Sequence, residues 1–552
     1  MIKVDFLFYH YKEIPMKLIV LITIIAVFSG ACFDPAQAQN VLSPLDIQFR
    51  RQAVRRLVFD HGNEIPLSIL KPSKIVKLSI EHPFIKVSGG ATSYKVDKNL
   101  LTVFARETSE SALWIGGFNP YGTYDVSFAA SEGNSGEAGV EFATPDNKNR
   151  LVIMAGFNEN ECTTIHWRLI VDSIEKQNEF ITLKEPVKGS FILRVQVIGT
   201  KLNVLVEQNG LNLAVDVRDF MQFIDLRRQE HIRSFEFRLI TKLKANESVV
   251  IKEAGASLTT GAGQADLCAI TYNDGSPLLD QGRLWFTMTI RGRHFPQGVF
   301  SMNPSVFDIR LEGVIAFDRN DGLLRNELAS HIYYDTEAKE WRGLTVGMSA
   351  YYDIDKKIGK QLWAISSKKD PRFGFSIMKA KSVILPNSSE DPHIIYDQEA
   401  QKWRVLACAK GGAGFPATLY ESDKWDGPYK IIAGPVGVNS TGCLLQKFGS
   451  KYYALFGSAD RKFYVYSYPD LKQLGSLDMF RPPWNENLNS RCWPNVIPLP
   501  DGYPAPYISL TMDRINYPGV GGWTYGSLYL YHGYPKNGER DKYEYSTKIE
   551  NK

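Results

Sequence analysis

The chain has 552 residues, with 64 Lys and Arg against 60 Asp and Glu, so its formal net charge of +4 is close to neutral. Nothing in that balance suggests a nucleic-acid surface, which would need a clustered basic face. Six scattered cysteines without a CxxC spacing argue against a disulfide framework or a zinc site, and a chain of this length can build its core without either.

At the start, Leu18 to Phe28 are almost wholly apolar, with Lys17 in front and Ala36-Gln37-Ala38 behind. A charged start, a short apolar core and a small-x-small site predict a signal peptide over residues 1–38, and hence an exported, periplasmic or extracellular protein. Ser29-Gly30-Ala31-Cys32 offers lipoprotein anchoring at Cys32 as the weaker alternative, because the usual Leu three residues earlier is missing. No later stretch reaches the roughly 18 apolar residues that a bilayer span requires, so no integral membrane span is expected. Cys162, Cys268, Cys408, Cys443 and Cys492 read as small buried hydrophobes, with at most one incidental bridge.

Abundant Tyr and Phe, evenly spread Gly and Pro, and the lack of a long amphipathic helical pattern predict an all-β protein. Residues 39–258 read as a β-sandwich of jelly-roll type. Leu193 to Val197 alternates, Gly199-Thr200 turns, and Leu202 to Val206 returns, which is a hairpin. Tyr124 to Phe128, Leu151 to Met154 and Phe235 to Leu239 add strands of period two. Glu253 to Asp266, rich in Gly, Ala and Thr, reads as a linker.

Residues 259–552 carry a repeat. Ser330 to Leu344 (SHIYYDTEAKEWRGL) returns as Pro392 to Leu406 (PHIIYDQEAQKWRVL), 62 residues on. Each copy is a strand, a charged turn and a second strand opened by Trp341 or Trp403. Further pairs are Tyr272–Leu278 with Arg283–Met288, Gly442–Gln446 with Lys451–Phe456, and Pro494–Pro498 with Pro506–Leu510. A hairpin unit recurring at this spacing predicts a five-bladed β-propeller, whose inner strands bring distant residues to one funnel mouth.

Several residues stand where that geometry could use them. Arg291 and Arg293 follow the first second-strand, Arg491 precedes the fifth inner strand, and Arg514 follows the last pair. Their guanidinium forks would suit a carboxylated sugar. His331 and His393 occupy equivalent points of the repeat, as substrate contacts, ligands of an axial ion or duplicated packing residues. Trp493 and Trp523 are candidate sugar platforms, whereas Trp341 and Trp403 read as core. Asp335, Asp397, Glu337 and Glu399 read as solvated turn residues.

Tyr272-Asn273-Asp274-Gly275-Ser276-Pro277 and Glu390-Asp391-Pro392-His393 resemble the first-blade and inner-strand motifs of the five-bladed glycoside hydrolases of the arabinanase/xylosidase and invertase/levansucrase groups. The sandwich-plus-propeller layout and the arginines also resemble family 143 of the glycoside hydrolases. The resemblance implies hydrolysis of a glycosidic bond in a complex polysaccharide, plant cell-wall and acidic pectic material included, by paired carboxyl groups. Carried over by position, Asp274 takes the place of base or nucleophile, Asp391 that of a catalytic or orienting acid, and Glu390 that of the proton donor. The chain departs from the pattern where the family has a Glu at a later inner strand, reading Ser440-Thr441-Gly442-Cys443 and Trp493-Pro494-Asn495. The alternatives are a non-catalytic glycan-binding protein and a propeller lyase with a neutral His or Tyr base. The expected partner is an oligo- or polysaccharide, without nucleic acid; no cofactor is required, with an axial calcium ion admitted by the propeller.

Overall fold

The computed structural model describes residues 42–56, 74–77, 85–88, 91–130, 133–261, 263–292, 294–353, 360–411, 414–479, 493–512 and 527–536, and its strands belong to one compact unit beginning at Ser43. The segment 1–38 with Cys32, and also Arg293, Arg491, Cys492, Arg514 and Trp523, lie outside the described residues. Among the described residues no helix is long and apolar enough to cross a membrane.

Each copy of the repeated hairpin is closed by the same side-chain chemistry. Asp335 Oδ1 accepts from the backbone N–H of Glu337 and Ala338, at 3.1 and 3.0 Å, and Asp397 Oδ1 accepts from Glu399 and Ala400, both at 3.0 Å. Lys339 and Gln401 complete the turns in the left-handed region, each with φ 53°. Asp335 and Asp397 are therefore not solvated, as the sequence suggested, but buried, with Arg342 clasping the first and the Tyr468 hydroxyl the second. Glu337 and Glu399 are exposed, and Trp341 and Trp403 pack in the core.

The sandwich consists of a seven-stranded and an eight-stranded sheet, with antiparallel pairing throughout. Phe191–Ile198 and Lys201–Gln208 form the expected hairpin across Gly199-Thr200, where Gly199 takes φ 70°. Leu193, Val195 and Val197 join Leu202, Val204 and Val206 in a core completed by Phe128, Phe142, Trp167 and Phe237. Glu253 to Asp266 is no linker. It spans the end of strand Ser248–Leu258 and the start of strand Gly263–Ala269, and its small residues let the buried backbone of the two domains run together.

The propeller has five blades. The first is Gly263–Ala269, Arg283–Arg291, Gln297–Met302 and Arg310–Asp318, from inner to outer strand. The second is Leu328–Asp335, Glu340–Gly347, Gln361–Ser367 and Gly374–Ser382. The third and fourth open on Ser389–Asp397 and Ser440–Phe448. The fifth runs Val496–Pro498, Tyr507–Met512 and Ser527–Pro535, and its next strand is Ile47–Arg56 from the other end of the chain. Two expectations change. The first inner strand precedes Tyr272 rather than containing it, and residues 47–56, expected in the sandwich, belong to the propeller sheet.

Candidate active site

Four inner strands share one irregularity. Their register with the second strand slips between Ala265 and Cys268, Leu328 and His331, Glu390 and His393, and Thr441 and Leu444. Each slip holds one residue in the left-handed region: Asp266 (φ 54°), Ala329 (50°), Asp391 (53°) and Gly442 (61°). A left-handed non-glycine residue costs about 1–2 kcal/mol, and a bulge re-aims the side chain it carries. Blades one and three thus present an Asp at the same structural position, and Asp266 is the one the motif reading passed over. The signal for it was present, since Asp266-Leu-Cys-Ala-Ile270 parallels Asp391-Pro-His-Ile-Ile395.

The Asp391 carboxyl senses the charge of Asp266. Asp391 is buried, and both the Thr441 hydroxyl (2.7 Å) and the Gly442 N–H (3.0 Å) donate to its Oδ2. Burial, and then the charge of Asp266, hold the Asp391 carboxyl above the usual range despite those donors and the nearby Lys360. Asp266 is bound through Oδ2 to Arg291 Nη2 at 2.9 Å, and the Arg291 guanidinium lies 5.2 Å from the Phe295 ring. Lys360 pairs with Glu390 and stands 4.9 Å from the Phe415 ring. Burial lowers the Lys360 pKa against the opposing pull of Asp391, Cys408 and Asp266. Asp391, Glu390 and Arg291 thus share a neighbourhood with Asp266 and Lys360.

Asp274 is elsewhere. Its Oδ1 accepts from the N–H and Oγ of Ser276, at 2.9 and 2.5 Å, which makes it the cap of a tight turn. That turn leans on the far end of blade three's inner strand and on the start of blade four's second strand: the Tyr396 N–H donates to the Asn273 carbonyl at 2.6 Å, and the Tyr452 hydroxyl to the Asp274 carbonyl at 2.7 Å. Tyr396 lies about 16 Å along an extended strand from Asp391. Asp274 consequently faces the opposite mouth, and the expectation that it shares one with Asp391 is corrected. A local motif match could not distinguish the two ends of the strand.

His331 and His393 stack with ring centroids 3.8 Å apart and planes 14° from parallel. The Ile394 N–H donates to His331 Nδ1 at 3.0 Å, and the Leu445 N–H to His393 Nδ1 at 3.3 Å. Each histidine thereby satisfies a backbone donor of the next blade, and burial lowers both pKa values, that of His393 to about 3. They tie blades together and stay neutral. Cys268, His331 and His393 together offer sulfur and nitrogen donors within 4.8 Å of one another. This set does not fit calcium, which takes oxygen ligands, and two parallel rings do not aim their lone pairs at one ion. Trp493 is buried rather than a platform: a Cβ on Gly442 would fall 2.4 Å from its Cγ.

A separate cleft of about 1010 Å³ opens between the sandwich and the propeller, lined in part by Asp225, Arg227, Asp321, Arg325 and Asp353. Its carboxylates are bound to its arginines: Arg227 holds Asp225 and Asp353, and Arg325 holds Asp321 and Asp353. They act as domain fastenings, and the bulge residues remain the better candidate site.

No protein-family model matches the chain, and no curated protein matches it in sequence. Among solved structures it is similar to a thermostable family-43 glycoside hydrolase, at 14% identity and a TM-score of 0.34, over 49% of this chain and 88% of that one. A GH43_1 enzyme from Xanthomonas citri is similar at 10% identity and a TM-score of 0.36, over 49% and 88%. The carbohydrate binding module CBM66 from Bacillus subtilis is similar at 11% identity and a TM-score of 0.23, over 31% and 94%. These likenesses are low, and the chemistry of the site is read from its own residues.

Proposed function

We propose that the protein hydrolyses a glycosidic bond at the mouth formed by the inner-strand bulges, with Asp391 as proton donor and Asp266 as base or nucleophile. The observation that carries this reading is the pair itself: two aspartates at equivalent bulges, one bound to Arg291, the other held high by burial and by its neighbour's charge. Glycoside hydrolysis needs such a divergence, one carboxyl protonated to release the leaving oxygen and one ionised to act across the ring. In that role the donated proton would be held on Asp391 Oδ1, because Oδ2 accepts from both Thr441 and Gly442. Asp391 thereby takes the part that the missing Glu would have played, and Glu390 becomes the partner of Lys360. Arg291 is answered by Asp266 and Lys360 by Glu390, so an acidic sugar would have to displace one of these partners.

The test is turnover of a panel of pectic and hemicellulosic glycans, neutral and carboxylated, with product masses measured. Products carrying added water, lost in Asp391→Asn, are expected. An Asp391→Asn protein that still turns over would remove Asp391 as the acid. A second reading, glycan binding without hydrolysis, is favoured by one observation. Thr289 Oγ1 accepts the bulge N–H of Ala329 at 3.0 Å just as Asp391 accepts that of Gly442, so Asp391 also has a purely structural counterpart. Binding by wild type without product would establish that reading.

A further inference from the structure

Cys408 lies in the second strand of blade three, opposite Glu390, and Cys443 directly follows the bulge residue Gly442 in the inner strand of blade four. Their Sγ atoms are 3.4 Å apart. Both side chains are buried in the apolar seam between these blades, with Leu406, Leu419, Leu445 and Phe456 around them. A disulfide needs its sulfurs at about 2.05 Å, so a closure of about 1.4 Å separates the two thiols from a bond. Cys162 lies in the sandwich core and Cys268 on the first inner strand, so this is the pair that the fold places in contact among the described residues.

We propose that Cys408 and Cys443 form a disulfide that staples blade three to blade four beside the candidate site. The oxidant is a small-molecule disulfide of the glutathione type. One protein thiolate attacks it, forming a mixed disulfide and releasing one glutathione; the second protein thiolate then displaces the other. Two protein S–H bonds break, one S–S bond forms, and the oxidant leaves as two thiols carrying the two hydrogens. Burial means that the exchange takes place when the seam opens, in folding or in local unfolding. The staple bears on the site through one peptide unit, since the residues before Cys443 are Gly442 and Thr441, the two donors to Asp391. The bond itself does not depend on the glycosidase reading.

The test holds the native protein in a glutathione redox buffer a few degrees below its melting temperature. It is then denatured in acid without reductant, alkylated and mapped by peptide mass. The expected result is one linked peptide pair joining Cys408 to Cys443, about 2 Da lighter than the sum of its thiol forms, while Cys162 and Cys268 are alkylated. The oxidised protein should also melt at a higher temperature than the same sample after reduction. Alkylation of Cys408 and Cys443 to the same extent as Cys162 and Cys268 would overturn the proposal, as would a pairing of either with a different cysteine.

Discussion

Gly442 stands where blades one to three carry Asp266, Ala329 and Asp391, and the reason is visible at its own Cα. Its φ of 61° matches the three equivalents, which carry side chains there at a cost in strain, but Trp493 Cγ lies 2.4 Å from where a Cβ of residue 442 would be, so the space admits none. Gly442→Ala should therefore cost about 2 kcal/mol or more, read as a lower urea midpoint at unchanged slope. An unchanged midpoint would mean that Trp493 yields. Asp391 carries a different prediction. Its folded pKa lies above the unfolded one, so the native state binds the extra proton, and the side chain weakens the fold as pH rises past about 4. Asn keeps an oxygen for Thr441 and Gly442 while removing the charge. Asp391→Asn should thus melt at least as high as wild type at pH 7 and lose that advantage by pH 4. A lower melting temperature at pH 7 would show that the ionised carboxylate is the stabilising form.

Among the elements, Ile47–Arg56 has the most leverage for its length. It pairs antiparallel with Ser527–Pro535 from Ile47↔Pro535 to Arg56↔Ser527, and in parallel with Asp478–Met479 on its other side. The first described strand is thus an outer strand of the last blade, and closure of the ring couples the two ends of the sequence. A protein truncated through Arg56 would leave Ser527–Pro535 with an open edge, which invites pairing with another copy. It is expected to melt lower and to self-associate on size exclusion; a monomer with the wild-type melting temperature would make the strand dispensable. The repeated hairpins were legible in advance because turn chemistry and alternation are local: Asp335 and Asp397 announce the turns, and Trp341 and Trp403 the returning strands. The bulges were not, because a one-residue slip leaves the same apolar letters in the sequence.

Over the whole molecule, buried neutral histidines set the response to acid. His294 sits at the junction of sandwich and propeller, bonded to Thr200 and Asn326, and burial lowers its pKa to about 3, like that of His393; His331 is also depressed. A base whose folded pKa is below the unfolded value contributes stability that is fully present above about pH 6.5 and is lost as pH falls toward 3, because the unfolded chain takes up the protons. Each group contributes at most about 1.4 kcal/mol per pH unit in that window. Urea midpoints at pH 7, 6 and 5 should fall with acid, and His393→Gln should fall less steeply between those points than wild type. A flat wild-type profile would refute the assignment of neutral histidines. Junction and axis would then share less of the acid sensitivity than their burial implies.

The sequence alone determined the all-β class, the sandwich before the propeller and the blade repeat, and it put forward Asp391, Glu390 and Arg291 as candidates. These follow from alternation, turn residues and duplication, which act over a few positions and survive in the letters. Only the tertiary structure decided that Asp266, not Asp274, stands beside Asp391, that His331 and His393 clasp neighbouring blades, and that residues 47–56 close the ring. The physical reason is the same in each case. Which end of a strand a side chain occupies, which backbone donor a histidine meets, and which edge a strand completes depend on contacts between residues far apart in the chain, set by register and burial once the blades have closed.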